Sequence, residues 1–262
     1  MNHEDGQTNR PFLHLEKVVP RLNGGPGETG ACPPVTLSIA RGEFLSLVGL
    51  RSACGLPLLR TVAGLEQPQS GRVELDGDVP KPGRIGIGIV FRRPMLLEWR
   101  SVLGNVLLAS DLRKPGGPAD AERAARLLAV VGLTDVRGTR PDGLSCAEAQ
   151  KVSICRALLT RPDLLLMDDP FDGLGPLERE QSARDLQRLL AGSATTVLLI
   201  TSGIDEAVVL SDGVAMASRD GIAQTMRIDA PHPRLPGAET AARVAEYAGR
   251  LRILLEAHGH LS

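Results

Sequence analysis

The runs LLLM (Leu164 to Met167) and VLLI (Val197 to Ile200) are apolar at every position. A strand points alternate side chains to opposite faces, so such runs belong to a sheet covered on both sides. Further strand-like runs are VTLSI, EFLSLVG, GRVELDG, IGIGIVF, DLLLMDD, TTVLLIT and GVAMAS. Between them lie helical stretches: LPLLRTVAGL, DAERAARLLAVVGL, AEAQKVSICRALLTR and residues 178–190. Strands alternating with helices predict an α/β layered fold. Residues 92–160 differ, because helical patterns dominate there and strands are absent; they read as an inserted helical subdomain. The expected organisation is a polar tail (1–10), a core (11–91 and 161–234), the insert (92–160) and a C-terminal helical tail (235–262). Gly/Pro-rich loops are expected at 23–34, 77–83 and 113–120.

The chain has 262 residues, enough for one large domain or a core with a subdomain. Aromatic residues are only 2%, so Leu, Val, Ile and Ala must build the interior. A net charge of −1 and the lack of a basic run give a nucleic-acid partner no electrostatic support. The polar start MNHEDGQTNR has no apolar signal-peptide centre, and no apolar run approaches the ~20 residues that span a bilayer. Any membrane role is therefore expected from the aqueous side, through a partner. Cys32, Cys54, Cys146 and Cys155 lack metal-ligand spacing and read as reduced cytosolic thiols, with Cys54 and Cys146 as small fillers.

The stretch GLRSACGLPLLRTVAGL (Gly49 to Leu65) follows an apolar strand and opens a helix, as a phosphate-binding loop does. Such a loop ends in Gly-Lys-Ser/Thr, yet Gly55, Leu56 and Pro57 stand there. Three more stretches follow in order: VFRRPMLLEWRSVLGNVLL, LSCAEAQKVSICRALLTRPDLLLMDDPFDGLG and VLLITSGIDEAVVLSDGV. Together they resemble the nucleotide-binding subunit of an ABC transporter over roughly residues 13–234. The resemblance implies a P-loop NTPase-like ABC ATPase core with a mainly parallel sheet, a small antiparallel part and the helical insert. Within the family, PMLLEW.SVLGNV and IDAPHPR look most like the nitrate, sulfonate and taurine importers.

The departures from the family fall on the chemistry. Ungapped alignment sets Gly55 at the phosphate-binding Lys and Leu56 at the Mg²⁺-binding hydroxyl; a one-residue shift sets Leu56 and Pro57 there instead. Pro57 suits a first helical turn but has no N–H for a phosphate. Missing two or three charge-assisted contacts, at ~1.5–3 kcal/mol each, weakens binding roughly a thousandfold or more. Gly49, Ser52, Gly55, Leu56 and Pro57 are thus a remnant nucleotide loop. Arg92 replaces the Gln offered to metal and water. Leu144 and Ser145 of the signature survive, but Cys146 and Ala147 replace its glycines. Asp168 matches the Mg²⁺-associated Asp, Asp169 the general-base Glu, Ser202 the switch His, and Gly175 an Asp of the inter-subunit loop. Leu22 falls at the adenine-stacking aromatic.

Bland readings compete at each position. Taken alone, Asp168 and Asp169 are a polar pair capping a strand end; their LLLM and Pro170-Phe171 context favours a remnant site. Arg92 and Arg93 read first as a solvated surface pair. Met95, Leu96, Leu97 and Trp99 are either core of the insert or, by the resemblance, the docking surface for a membrane subunit. Scaffold positions survive while ATP-, Mg²⁺- and water-touching ones are lost. That pattern predicts a pseudo-ATPase docked on the permease subunits of an importer at the cytoplasmic face of the membrane. It would act as a homodimer or beside an active ABC ATPase. The alternatives are an active importer ATPase compensated through Arg51 or Arg92, a non-transport binding or regulatory protein on the same scaffold, and a deliberately altered ATPase.

Overall fold

The computed structural model describes residues 10–22, 32–50, 52–113, 117–218, 220–230, 234 and 238–257. Two sheets organise it. The smaller is antiparallel, with order β2-β1-β4, from β1 (Leu13–Val19), β2 (Val35–Ile39) and β4 (Ser70–Leu75). The larger has order β5-β6-β7-β3-β8-β9, from β3 (Phe44–Val48), β5 (Ile87–Val90), β6 (Leu164–Asp168), β7 (Thr196–Ile200), β8 (Gly213–Ser218) and β9 (Gly221–Arg227). Its pairings are parallel except for β8 with β9.

Burial explains why the central strands lack polar alternation. Every residue of β3, β6 and β7 is buried, whereas β2 alternates buried and exposed positions. One face of the large sheet packs on α1 (Ser52–Val62) and the small sheet, through Leu45, Leu47, Leu58, Leu59, Leu166 and Leu198. The other packs on α4 (Cys146–Leu159) and α5 (Pro176–Leu190), through Phe44, Ile154, Leu165, Met167, Leu186 and Leu199. Residues 92–160 hold α2 (Val102–Arg113), α3 (Pro118–Val130), a short 3-10 turn (Pro141–Gly143) and α4, with no strand among their described residues. Val102, Val106, Leu128, Val152 and Cys155 give this part its own core. Finally α6 (Ile204–Leu210) and α7 (Ala238–Ala257) close the β8 end, with Leu251 and Leu255 against Val48, Val214 and Met216.

Several expectations need correction. Strands β1 and β9 carry no purely apolar run and were not among the sequence-predicted strands; β1 is interrupted by a register shift, with Lys17 at φ +47. Pro57 lies one turn deeper in α1 than the first-turn position expected of it. There its missing N–H forfeits one helix hydrogen bond, and Thr61 Oγ1 donates to the Pro57 carbonyl at 2.9 Å. The reduced-thiol reading also fails for half of the cysteines: Cys32 and Cys54 form a disulfide, their Cα atoms 5.8 Å apart. They are 22 residues apart in sequence, and only the packing of the lead-in to β2 against α1 brings them together. Neither Cys54 nor Cys146 is the small filler expected, since Cys146 is exposed. Cys155 is the buried free thiol, and burial pushes it up to about 12.

Candidate functional site

The strand-to-helix turn after β3 is built close against its neighbours. Gly49 has φ +75, and a Cβ there would stand 3.0 Å from Leu255 Cδ2 and 3.1 Å from the Ala217 carbonyl. Glycine is therefore required by both backbone and packing. Gly55 and Pro57 are buried and Leu56 half-buried; Arg51, one of the residues proposed to compensate, and the side chain of Ser52 lie outside what the structure describes. Gly55 faces the end of β6, where a Cβ would stand 2.7 Å from Asp168 Oδ1.

Asp168 and Asp169 end β6 and are 7% and 6% exposed. Asp168 Oδ1 has no hydrogen-bond partner among the described residues. Burial raises the Asp168 pKa, opposed by the nearby Arg92 guanidinium and supported by the charges of Asp169 and Asp172. Asp169 has φ +40, its N–H donating to the Ile200 carbonyl at 2.7 Å. Its carboxylate accepts hydrogen bonds from Thr201 Oγ1 at 3.2 Å and Ser202 Oγ at 3.0 Å. Arg92 Nη2 lies 3.6 Å from Asp169 Oδ2, and Arg92 Nε 3.9 Å from Asp172 Oδ2. The solvated-pair reading therefore fails for Arg92, which faces the carboxylates, and holds for Arg93, which is exposed. A guanidinium offers donors only, so it can pair with Asp169 but cannot ligate a cation.

Ser145 stands apart from this cluster, with no hydrogen bond to it among the described residues. It caps α4 instead: Ser145 Oγ accepts the Glu148 N–H at 3.2 Å, while Glu148 Oε2 accepts the Ser145 N–H at 2.8 Å. The Ser145 N–H, and after it the Ser145 hydroxyl, hold the Glu148 carboxyl below its usual range. Gly175 caps α5, its N–H donating to Glu178 Oε2 at 3.2 Å. Leu22, at the expected adenine position, is half-buried.

Sequence reasoning missed Glu206, which is 4% exposed and lies against the same cluster. Thr201 Oγ1 is hydrogen-bonded to it as well as to Asp169, and Arg179 Nη1 is 3.8 Å away. Burial pushes the Glu206 carboxyl up to about 7. A hydroxyl carries one proton, so Thr201 can donate to both carboxylates only in turn.

The segment before α2 presents a second surface. Met95 and Trp99 are 65% and 72% exposed, while Leu96 and Leu97 are half-buried and Leu96 packs on the helical core. Two further residues that sequence reasoning missed brace this loop. Asn105 Oδ1 accepts the Leu97 N–H at 2.7 Å and Asn105 Nδ2 donates to the Leu97 carbonyl at 3.0 Å. Arg156 donates to the Pro94 and Met95 carbonyls at 2.7 and 2.9 Å. Buried Asn105 and half-buried Arg156 thus hold the backbone while the large apolar tips stay outside. Among the described residues no helix is long and apolar enough to cross a membrane.

Comparison with known proteins agrees with this architecture. A family model described as ABC transporter matches residues 32–172. The chain is 38% identical over 216 residues to an aliphatic sulfonates import ATP-binding protein of Rhodococcus jostii, covering 82% of this chain and 84% of that one. It is 36% identical over 235 residues to the nitrate import ATP-binding protein NrtD of Synechococcus elongatus, covering 86% and 84%. In fold it is similar to cbiO1 from Clostridium perfringens, with TM-score 0.70 and 21% identity over 94% of this chain and 99% of that chain. The matched motifs, the mainly parallel sheet with its antiparallel companion, and relatives aligned over most of their length agree: the chain belongs to the ABC transporter family.

Proposed function

We propose that this chain is an importer subunit of the sulfonate/nitrate/taurine class that docks on membrane permease subunits without hydrolysing ATP. The importer class rests on the names of its relatives, which describe ATP-binding subunits for sulfonate and nitrate import. Those names make ATP the expected ligand; membership of the family adds Mg²⁺ as the expected partner ion and the inner face of the cell membrane as the expected location. A second copy or an active ABC ATPase would complete a dimer, as in the dimeric ATP-binding cassette MJ0796, which shares this fold.

One observation carries the inactive reading: the Asp169 carboxylate is already engaged by Arg92, Thr201 and Ser202, while Gly55 closes on Asp168 with no Lys between them. Mg²⁺ takes near-octahedral oxygen donors. Leu56 supplies no oxygen to such a set, and Arg92 offers only donors where the family has a Gln. These residues do not fit Mg·ATP. Phosphoryl transfer depends on charge stabilisation and positioning, and among the described residues Gly55 brings no charge and Asp169 is already paired. The exposed Met95 and Trp99 on their braced loop support docking.

The test is phosphate release by purified protein at millimolar Mg·ATP, beside an Asp168→Asn, Asp169→Asn variant as contamination control. Equal background in both supports the reading. Activity that disappears in the variant overturns it. Co-expression with the permease subunits tests docking, and failure to co-purify counts against the importer assignment.

A further inference from the structure

Helix α4 ends against two arginines. The last carbonyls of a helix have no partner further along it, and Arg123 of α3 supplies one here. Its Nε donates to the Leu159 carbonyl at 3.0 Å and its Nη2 to the Leu158 carbonyl at 3.1 Å. These bonds fix the guanidinium and leave part of its five N–H groups unspent. Arg161 follows the helix at φ +50, its own N–H donating to the Leu158 carbonyl at 3.1 Å. Glycine or asparagine is the ordinary choice at such an angle after a helix. The Arg161 side chain is exposed and makes no hydrogen bond or ion pair among the described residues.

The acidic residues nearby are engaged elsewhere. Glu122 pairs with Arg126, Asp120 accepts from the Ser110 hydroxyl, and Asp163 lies 4.0 Å from Arg41. Burial, and then the charges of Arg161 and Arg126, lower the Arg123 pKa, with Asp120 opposing. Like charges thus crowd here without a counter-ion on Arg123 or Arg161. Both arginines line two adjoining cavities of about 700 and 420 Å³, ordinary volumes for small-molecule sites. The larger has an apolar wall at Ile85, Ala119 and Leu159, with Ile85 75% exposed. The smaller reaches Pro162 and Asp163, just before β6, whereas Asp168 and Asp169 stand at its far end. Five strand residues at about 3.3 Å each set the two places roughly 15 Å apart.

We propose that the cleft around Arg123 and Arg161 is a binding site for a small organic anion, with its sulfonate or carboxylate head on the two guanidinium groups and a short apolar tail against Ile85. A guanidinium presents planar, forked donors that match such oxygens. The bound anion supplies the counter-charge that the acidic neighbours do not, and its tail removes exposed Ile85 surface from water. An inorganic anion meets only the first of these needs. The inference does not depend on whether the chain hydrolyses ATP, because the cleft lies at the opposite end of β6 from the remnant nucleotide loop.

The experiment titrates the full chain by calorimetry at fixed ionic strength with 1-hexanesulfonate, hexanoate, sulfate, hexyltrimethylammonium and a hexaglutamate peptide. Saturable binding of hexanesulfonate or hexanoate is expected, with sulfate and the peptide weaker and the cation silent. Arg161→Asn keeps a residue that tolerates the positive φ, so its far-ultraviolet circular dichroism and melting midpoint should match wild type. It removes a charge-assisted contact and should weaken binding about tenfold or more. Arg93→Asn, at an exposed arginine elsewhere, should bind as wild type does. Bound hexanesulfonate should slow hydrogen exchange across 119–126 and 158–163 and leave 49–57 unchanged. No saturable binding, equal binding of the cation, tighter binding of sulfate or the peptide, unchanged affinity in Arg161→Asn, or protection confined to other segments each overturns the proposal.

Discussion

Gly55 and Asp168 occupy each other's space: a Cβ on Gly55 would stand 2.7 Å from Asp168 Oδ1, a buried oxygen without a hydrogen-bond partner. Gly55, the residue that the sequence alignment sets at the phosphate-binding Lys, is thus packed as a glycine against the Asp168 carboxylate. Gly55→Ala gains about 1 kcal/mol of helix propensity but overpacks the contact at a cost of ~1–3 kcal/mol. The expected net effect is destabilisation by about 1 kcal/mol in urea unfolding. The same change in an Asp168→Ala background should be neutral or stabilising, and simple additivity of the two changes would refute a direct contact.

Restoring two family residues should not restore turnover. A Gly55→Lys, Leu56→Ser variant is expected to gain some nucleotide binding by calorimetry and to release phosphate at background rate. Arg92 still pairs with Asp169 in that variant, and groups that act as a unit in catalysis do not contribute one at a time. An ordinary transporter rate would show that the remaining site is sound.

Glu206 makes stability fall with rising pH. Its folded pKa of about 7 lies above the ordinary glutamate value of 4.5, so the native state holds a proton that the unfolded chain has lost between those values. By linkage, stability decreases as pH rises through that window and levels off above it. The shift corresponds to roughly 3–4 kcal/mol at most. Glu206→Gln keeps a neutral side chain of similar shape beside Thr201, and it should flatten the profile and raise stability at pH 8 relative to wild type. Parallel profiles for the two proteins would rule out this role.

Reduction should lower stability without changing the fold. Closing a segment of 22 residues constrains the unfolded chain by about 3 kcal/mol in the chain-entropy account. Unfolding midpoints with and without reductant, read beside far-ultraviolet circular dichroism, check this. Cys32→Ser should show the lower midpoint in both conditions.

Exposed anchors separate docking from stability. Met95→Ser and Trp99→Ser remove apolar tips from solvent, so each should change unfolding free energy by no more than ~0.5 kcal/mol. The same variants should lose co-purification with the permease subunits. Asn105→Ala is the contrast: it removes hydrogen bonds to the Leu97 N–H and carbonyl, and should cost ~1–3 kcal/mol as buried polar groups lose their partner.

Much of the framework was legible in the residues. FLSLV, LLLMD and TVLLI became the wholly buried strands β3, β6 and β7, because an unbroken apolar run is stable only with both faces covered. The helical text of 92–160 became α2, α3 and α4 around one apolar cluster. Strand β1 escaped because its irregular pairing breaks the two-residue alternation, and β9 because an edge strand needs less apolar surface.

At the candidate site, the order of residues sets which chemical groups are present: no Lys at Gly55, no hydroxyl at Leu56, carboxylates at Asp168 and Asp169. What those groups touch follows from the packing of distant elements. The contact of Arg92 with Asp169, the burial of Glu206 behind Thr201, and the joining of Cys32 to Cys54 all depend on how separate elements pack. The physical reason is one of range. Strand and helix patterns repeat over a few residues and are set by local geometry, whereas a side chain's partner across the fold is chosen by the positions of whole strands and helices, which no short stretch of sequence encodes.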